Sequence, residues 1–308
     1  MVSYIPSLSI DKEHPAMHTK ILSSLLLAGF LTHNAYAQEK EIAITIDDLP
    51  FVGTNSATKG NLERAHDRFG KILNYLVDAH VPATGFVIAN SIATGQWALL
   101  ESFRDAGFGL GNHTYSHADL NRTSSEHYIA EIAKADKILA PVMTQPKYFR
   151  YPYLAEGRGP TKQAVQNYLI ANQYTIAPVT IDSKDYQFNE RLLHVSWRVR
   201  DQYVPRIKKE YLDYVWKQTL KAEKNSKENS GAQILLVHAN LLNSHCLGDL
   251  IQMYKDHGYQ FVSLERALAH HVAPATEEIN DKQVSFNQTD LLWLFFHGYP
   301  IQLKIDTL

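Results

Sequence analysis

Short apolar runs and longer amphipathic stretches alternate along most of this chain. Residues 42–46 (Ile42-Ala43-Ile44-Thr45-Ile46) form an apolar, β-branched run. Residues 62–79 then place Leu62, Phe69, Ile72, Leu73, Leu76 and Val77 at helical spacing. The pattern repeats: a strand is expected at 84–88, a helix at 97–106 and a short glycine-flanked strand at 108–110. A helix at 124–139 follows, with Thr123 and Glu126 spaced as a capping box. Further strands are expected at 148–149, at 174–181 despite Pro178, at 234–237 and at 259–262. Helices fall at 161–172, at 247–257 (ended by Gly258) and from Leu264 onward. Strands alternating with helices imply parallel strands with the helices outside them. About seven strands point to an α/β barrel more than to an open sheet.

Two regions break the rhythm. Residues 187–231 carry a long helical stretch at 203–222 and then a polar run at 223–230. They read as a helical insertion between two barrel strands. The segment from Asp281 is less regular, and its apolar run at 291–296 is too short to span a membrane. Residues 276–308 are therefore expected to form an extension packed on the body.

The N-terminus resembles an export signal. Met17-His18-Thr19-Lys20 is weakly basic, residues 21–31 are mostly apolar, and Ala35-Tyr36-Ala37 puts small residues where a signal peptidase reads. Residues 1–16 are read as sequence upstream of the true start, and cleavage is expected after Ala37. The mature protein would be periplasmic or secreted, without a stable membrane span, and its catalytic domain would occupy residues 38–275.

Composition adds mainly exclusions. Of 308 residues, 45% are hydrophobic and 20% charged, enough for a large core. A net charge of −2 provides no global field for nucleic acid, so no nucleic-acid partner is expected. The single cysteine, Cys246, excludes an internal disulfide and any multi-cysteine zinc site.

The candidate chemistry lies at the ends of the expected strands, where functional groups of barrels gather. Thr45-Ile46-Asp47-Asp48-Leu49-Pro50 ends the first strand with two acids. Neighbours in a regular strand face opposite sides, but a turn at the strand end lets both carboxylates reach one cleft. Gly111-Asn112-His113-Thr114-Tyr115-Ser116-His117 holds two histidines four apart, and one helical turn would put both imidazoles on one face for a divalent metal. Gly107, Gly109 and Gly111 allow close backbone approach. Arg150-Tyr151-Pro152-Tyr153, Asp182-Ser183-Lys184-Asp185-Tyr186 and Leu235-Leu236-Val237-His238 each follow a strand. Tyr115 and Tyr151 either line the cleft or pack beneath it, and His245 is a candidate for its rim.

In this order the five motifs resemble the polysaccharide deacetylase family, the NodB-homology or carbohydrate esterase family 4 enzymes, over roughly residues 41–270. The resemblance implies a distorted (β/α)7 barrel and one divalent metal ion, zinc before cobalt, manganese or nickel. It implies Asp48, His113 and His117 as metal ligands and Asp47 as the catalytic base, oriented by Arg150. It implies His238 as the general acid, supported by Asp185. Tyr153 would supply a backbone N–H to the oxyanion, and Leu236 would line the acetyl pocket. The implied reaction removes acetyl groups from a glycan, foremost N-acetyl groups of a peptidoglycan- or chitin-like amino sugar, with O-acetyl esters as the alternative.

Two positions depart from the family pattern: Leu49 stands where glycine is usual, and Tyr186 where tryptophan is usual. Both bear on the substrate more than on the reaction. A non-haem iron site would also use two histidines and a carboxylate, but it gives Asp47, Arg150 and His238 no task. A sugar-binding pseudoenzyme is the rival outside catalysis, and the intact base, ligands and acid argue against it.

Overall fold

The computed structural model describes residues 40–51, 58–225 and 231–271. The expected leader, the polar run at 226–230 and the extension at 276–308 lie outside the described residues.

Ten residues, Lys40–Leu49, form β1, and nearly all are buried. Burial of both faces of a strand is what helices packed outside a parallel sheet produce. β2 (Ala83–Val87), β3 (Gly109–Asn112), β4 (Lys147–Phe149) and β5 (Tyr174–Ile176) extend the sheet from one side of β1. β7 (Gln233–His238) and β6 (Ile181–Asp182) extend it from the other, giving the order β5-β4-β3-β2-β1-β7-β6. Every pairing is parallel, and β8 (Tyr259–Phe261) adds to the first residues of β1.

The helices bury the expected stripes. α1 (Lys59–Asp78) begins at Thr58, whose hydroxyl accepts from the Asn61 N–H, and buries Ala65, Phe69, Ile72 and Leu76. α2 (Trp97–Asp105) buries Leu99, Leu100 and Phe103 in the same core. α3 (Ser125–Leu139) packs against α4 (Gly159–Ala171). α5 (Asp185–His194) and α6 (Arg200–Asn225) connect β6 to β7, so the helical stretch starts earlier and ends later than its periodicity suggests. α7 (Asn243–Asp256) packs on α1, and α8 (Leu264–His271) is the last described element.

Two local expectations are corrected. The capping box is not used: Ser124, not Thr123, caps α3, accepting from the His127 N–H. The strand expected at 174–181 is two strands at opposite ends of the sheet order. Pro178 has no N–H to give a ladder, and the chain crosses there from one sheet edge to the other. Ala177 N–H still donates to Phe149 O of β4 (2.8 Å), while Thr180 N–H donates to Ile234 O of β7 (3.0 Å). The segment between β5 and β6 thus bridges the two edges, and this is where the barrel is distorted.

Gly111 sits where two strands and a ring crowd together. A Cβ there would lie 2.7 Å from the Tyr148 carbonyl oxygen and 3.0 Å from the Phe86 ring. The backbone atom has no flexible end to swing away. Gly111→Ala is expected to destabilise the fold by about 1–3 kcal/mol, the usual cost of overpacking, read as a lower urea midpoint with an unchanged slope.

Candidate active site

The C-terminal ends of β1, β3, β4, β6 and β7 surround one cleft of about 340 Å³. Its walls include Asp47, Asp48, His113, His117, Tyr153, Leu236 and His238, with Asp182, Lys184, Tyr186 and Asn189 toward α5. Tyr153 and Tyr186 are exposed at its mouth.

Regular strand alternation would separate Asp47 from Asp48. The ladder between β1 and β2 shifts register between Ile46 and Leu49, and Asp48 takes a positive φ of 61°. That turn brings both side chains to the cleft.

Asp48 Oδ1 lies 3.4 Å from His113 Nε2 and 3.2 Å from His117 Nε2. His113 Nδ1 lies 2.8 Å from the Arg150 carbonyl oxygen and must donate to it, so the neutral ring presents a lone pair at Nε2. A carboxylate oxygen and an imidazole lone pair this close repel unless a cation sits between them. Asp48 Oδ1 and Asp47 Oδ1 are buried and have no hydrogen-bond partner among the described residues. Burial pushes the Asp48 carboxyl up, but the two imidazoles outweigh it and hold it well below the usual carboxylate range. The ligand atoms of Asp48, His113 and His117 lie within 4.8 Å of one another and could hold a metal ion. One oxygen and two imidazole nitrogens suit zinc and its first-row neighbours. The two histidines do not share a helical turn, as their spacing suggested. They flank a loop in which Thr114 and His117 adopt positive φ values of 66° and 62°.

Arg150 is buried beneath Asp47. Its Nη1 is 3.5 Å from Asp47 Oδ2, while Nη2 donates to Thr45 Oγ1 (3.1 Å) and to Pro178 O (3.4 Å). Its guanidinium also lies over the Phe86 ring at 4.6 Å. Across the cleft, His238 Nδ1 is 2.6 Å from Asp185 Oδ1. Asp185 Oδ2 accepts from the His238 N–H, Asn240 Nδ2 and Asn243 Nδ2. Burial disfavours a charged His238, but the Asp185 carboxylate, with Asp48 and Asp47 behind it, pushes the imidazole up to about 10. Its Nε2 is 3.9 Å from Asp48 Oδ2.

Tyr153 follows Pro152 in a short 3-10 turn with φ 56°, and its ring lies tilted against that of His117, with centroids 4.4 Å apart. The first N–H groups of such a turn have no partner inside it. Leu236 is buried on β7 opposite Thr45 of β1.

The structure therefore brings all nine candidate residues to this region. Tyr115 and Tyr151 do not line the cleft: Tyr115 lies under Lys134, and Tyr151 packs with Tyr128 and Phe149. His245 is half-buried on α7, away from the rim. The sequence reading missed Asn189, Asn240 and Asn243. Asn240 and Asn243, three apart just beyond His238, and Asn189, one turn beyond Asp185, were the available signals.

A family model described as polysaccharide deacetylase matches residues 34–172. Over that stretch the chain is similar to the polysaccharide deacetylase family. It is 30% identical over 150 residues to a chitin deacetylase of Arthroderma benhamiae, covering 47% of this chain and 35% of that protein. It is 32% identical over 114 residues to a peptidoglycan-N-acetylglucosamine deacetylase of Bacillus cereus, covering 37% and 36%. The chain spans about a third to a half of the length of the curated relatives it matches. A carbohydrate esterase family 4 pseudoenzyme from Bacillus anthracis shares the fold, with a TM-score of 0.51 and 17% identity over 72% of this chain and 63% of that one.

A metal at the three-residue cluster would bind the folded chain and not the unfolded one. Zinc at a hundredfold excess over its Kd is expected to add about 2.7 kcal/mol of stability, seen as a rise in Tm that a chelator reverses. His117→Ala should lose most of that rise. An equal rise in the variant would reject this ligand set.

Proposed function

We propose that this chain is a metal-dependent hydrolase that removes N-acetyl groups from a chitin- or peptidoglycan-like glycan. The carrying observation is one cleft with three parts: the Asp48, His113 and His117 cluster, a carboxylate beside a buried arginine, and a histidine bonded to a buried acid. The chitin and peptidoglycan deacetylases that the chain resembles suggest the substrate class.

Asp48, His113 and His117 hold the ion, zinc before cobalt, manganese or nickel. When bound, a divalent ion there acidifies a water molecule and polarises an acetyl carbonyl. Asp47 takes the water proton, and Arg150, 3.5 Å from its Oδ2, holds that carboxylate in place. The Tyr153 N–H donates to the developing oxyanion. Leu236 forms an apolar wall for the acetyl methyl group. His238, protonated at neutral pH, gives its proton to the departing nitrogen, which an amine leaving group needs. Asp185 fixes the His238 tautomer and stabilises its charge. Tyr186 and Tyr153 at the cleft mouth offer ring faces to the sugar.

Export is part of the same proposal, since the leader at 17–37 would carry the enzyme to a cell-wall glycan. Among the described residues, no helix is long and apolar enough to cross a membrane.

The test is acetate release from chitin oligosaccharides, peptidoglycan and acetylated xylan, with and without a chelator. Release from the first two that stops with chelator and returns with zinc is expected. Release from xylan alone would make the enzyme an O-acetyl esterase. No release from any would favour a binding protein. Asp47→Asn should retain zinc and lower kcat by about 10²–10⁴-fold, the range of general-base catalysis; full turnover would remove Asp47 as base.

The pH profile tests the acid. A group with a raised pKa keeps its proton until the pH passes that value. Activity should therefore fall on the alkaline side as His238 titrates near 10. Removing the Asp185 charge weakens the hold on that proton, so Asp185→Asn should move the alkaline limb to lower pH. An unmoved limb would assign it to another group.

A further inference from the structure

The loop that carries His113 and His117 is held in a costly conformation. Thr114 and His117 both have positive φ, which residues with a Cβ adopt only when the surroundings enforce it. The enforcing contacts come largely from one turn of α3. Glu131, on the buried side of α3, accepts through Oε2 from both the Ser116 N–H and the Ser116 hydroxyl, each at 2.7 Å. Lys134, three residues on, places its ammonium 3.4 Å from the centre of the Tyr115 ring. Ile132 O accepts from Asn112 Nδ2 (3.1 Å), and Asn112 Oδ1 accepts from the Thr114 N–H (2.8 Å). On the other side, the N–H groups of Ala89 and Asn90 donate to the carbonyls of Thr114 and Tyr115.

Glu131 is the unexpected member of this set. Burying a carboxylate is expensive, and an apolar residue would fill the same position on α3 at lower cost. What the carboxylate supplies is two charge-assisted hydrogen bonds to the residue immediately before His117. Those bonds fix the Tyr115–Ser116 peptide and the Ser116 side chain, and through them the direction in which the chain enters His117.

We propose that Glu131 is a positioning residue for the metal centre: it holds Ser116 so that His117 is set toward Asp48 and His113 before any ion arrives. This rests on the ligand reading given above. Groups that orient metal ligands are typically worth about 10- to 100-fold in affinity.

The experiment is zinc titration of the metal-free protein against a chromophoric chelator, alongside the Tm of the metal-free form. Glu131→Ala should weaken zinc binding by about 10- to 100-fold. Glu131→Gln keeps an oxygen that can accept both bonds and should recover most of that loss. Ser116→Ala removes only the hydroxyl donor and should weaken binding by about 2- to 10-fold, the worth of one hydrogen bond. This milder variant keeps the test open if Glu131→Ala does not fold. A lower Tm in Glu131→Ala with wild-type zinc affinity would make Glu131 merely structural and overturn the proposal. Wild-type affinity in Ser116→Ala would overturn it as well. Failure of the unaltered protein to bind zinc would instead overturn the ligand reading itself.

Discussion

Two adjacent acids on one strand must share one cleft, and the rest of the site is arranged around that constraint. A regular strand would send Asp47 and Asp48 to opposite faces. The positive φ at Asp48 and the register shift at the end of β1 overcome the alternation. Such a conformation costs of order 1–3 kcal/mol, so neighbouring contacts must hold it. Burial of Leu49 directly after it and the Ile88 N–H bond to the Leu49 carbonyl anchor the chain beyond the turn. Two carboxylates this close also repel, and the fold answers with a different partner for each. Asp47 faces Arg150, while Asp48 faces His113 and His117.

Those partners are themselves held by buried polar contacts. Arg150 reaches Thr45 on β1 and the Pro178 carbonyl in the segment that crosses between the sheet edges. The irregular part of the barrel thereby helps position the guanidinium. Asp185 takes four hydrogen bonds, two from His238 and two from asparagines that follow it. A buried carboxylate so fully bonded is held rigidly, which makes it a dependable acceptor for an imidazole. Glu131 follows the same logic at the His117 loop. In each case a costly internal charge sets the direction of a second side chain.

The sequence made the chemistry more legible than the geometry. Alternating apolar runs revealed the parallel sheet, and five polar motifs at strand ends revealed the residues of the cleft. Periodicity could not show that residues 174–181 make two strands, because both are apolar and only the crossing at Pro178 separates them. The histidine spacing picked out two rings that do meet, but not in the way it suggested: i and i+4 suit a helix, yet a strained loop brings the rings together. Asn189, Asn243 and Glu131, on helices, and Asn240, in the bend after β7, stayed hidden, since polar residues on helices and in bends usually face water. Their importance depends on which carboxylate or loop they meet across the fold.

Shared fold alone does not decide between catalysis and binding here, because a pseudoenzyme keeps the same architecture. The distinction has to come from whether the polar groups complement each other within the cleft. A protein that only bound sugar would have no need for a buried arginine beside Asp47 or for an acid that raises the His238 pKa. Both features place a charged partner beside a group that the proposed reaction uses. Asp47 is paired with a cation and His238 with an anion, which suits the proton acceptor and the proton donor of the proposed reaction. That opposition across a metal-sized gap is what the proposed hydrolysis uses, and binding alone gives no reason to maintain it.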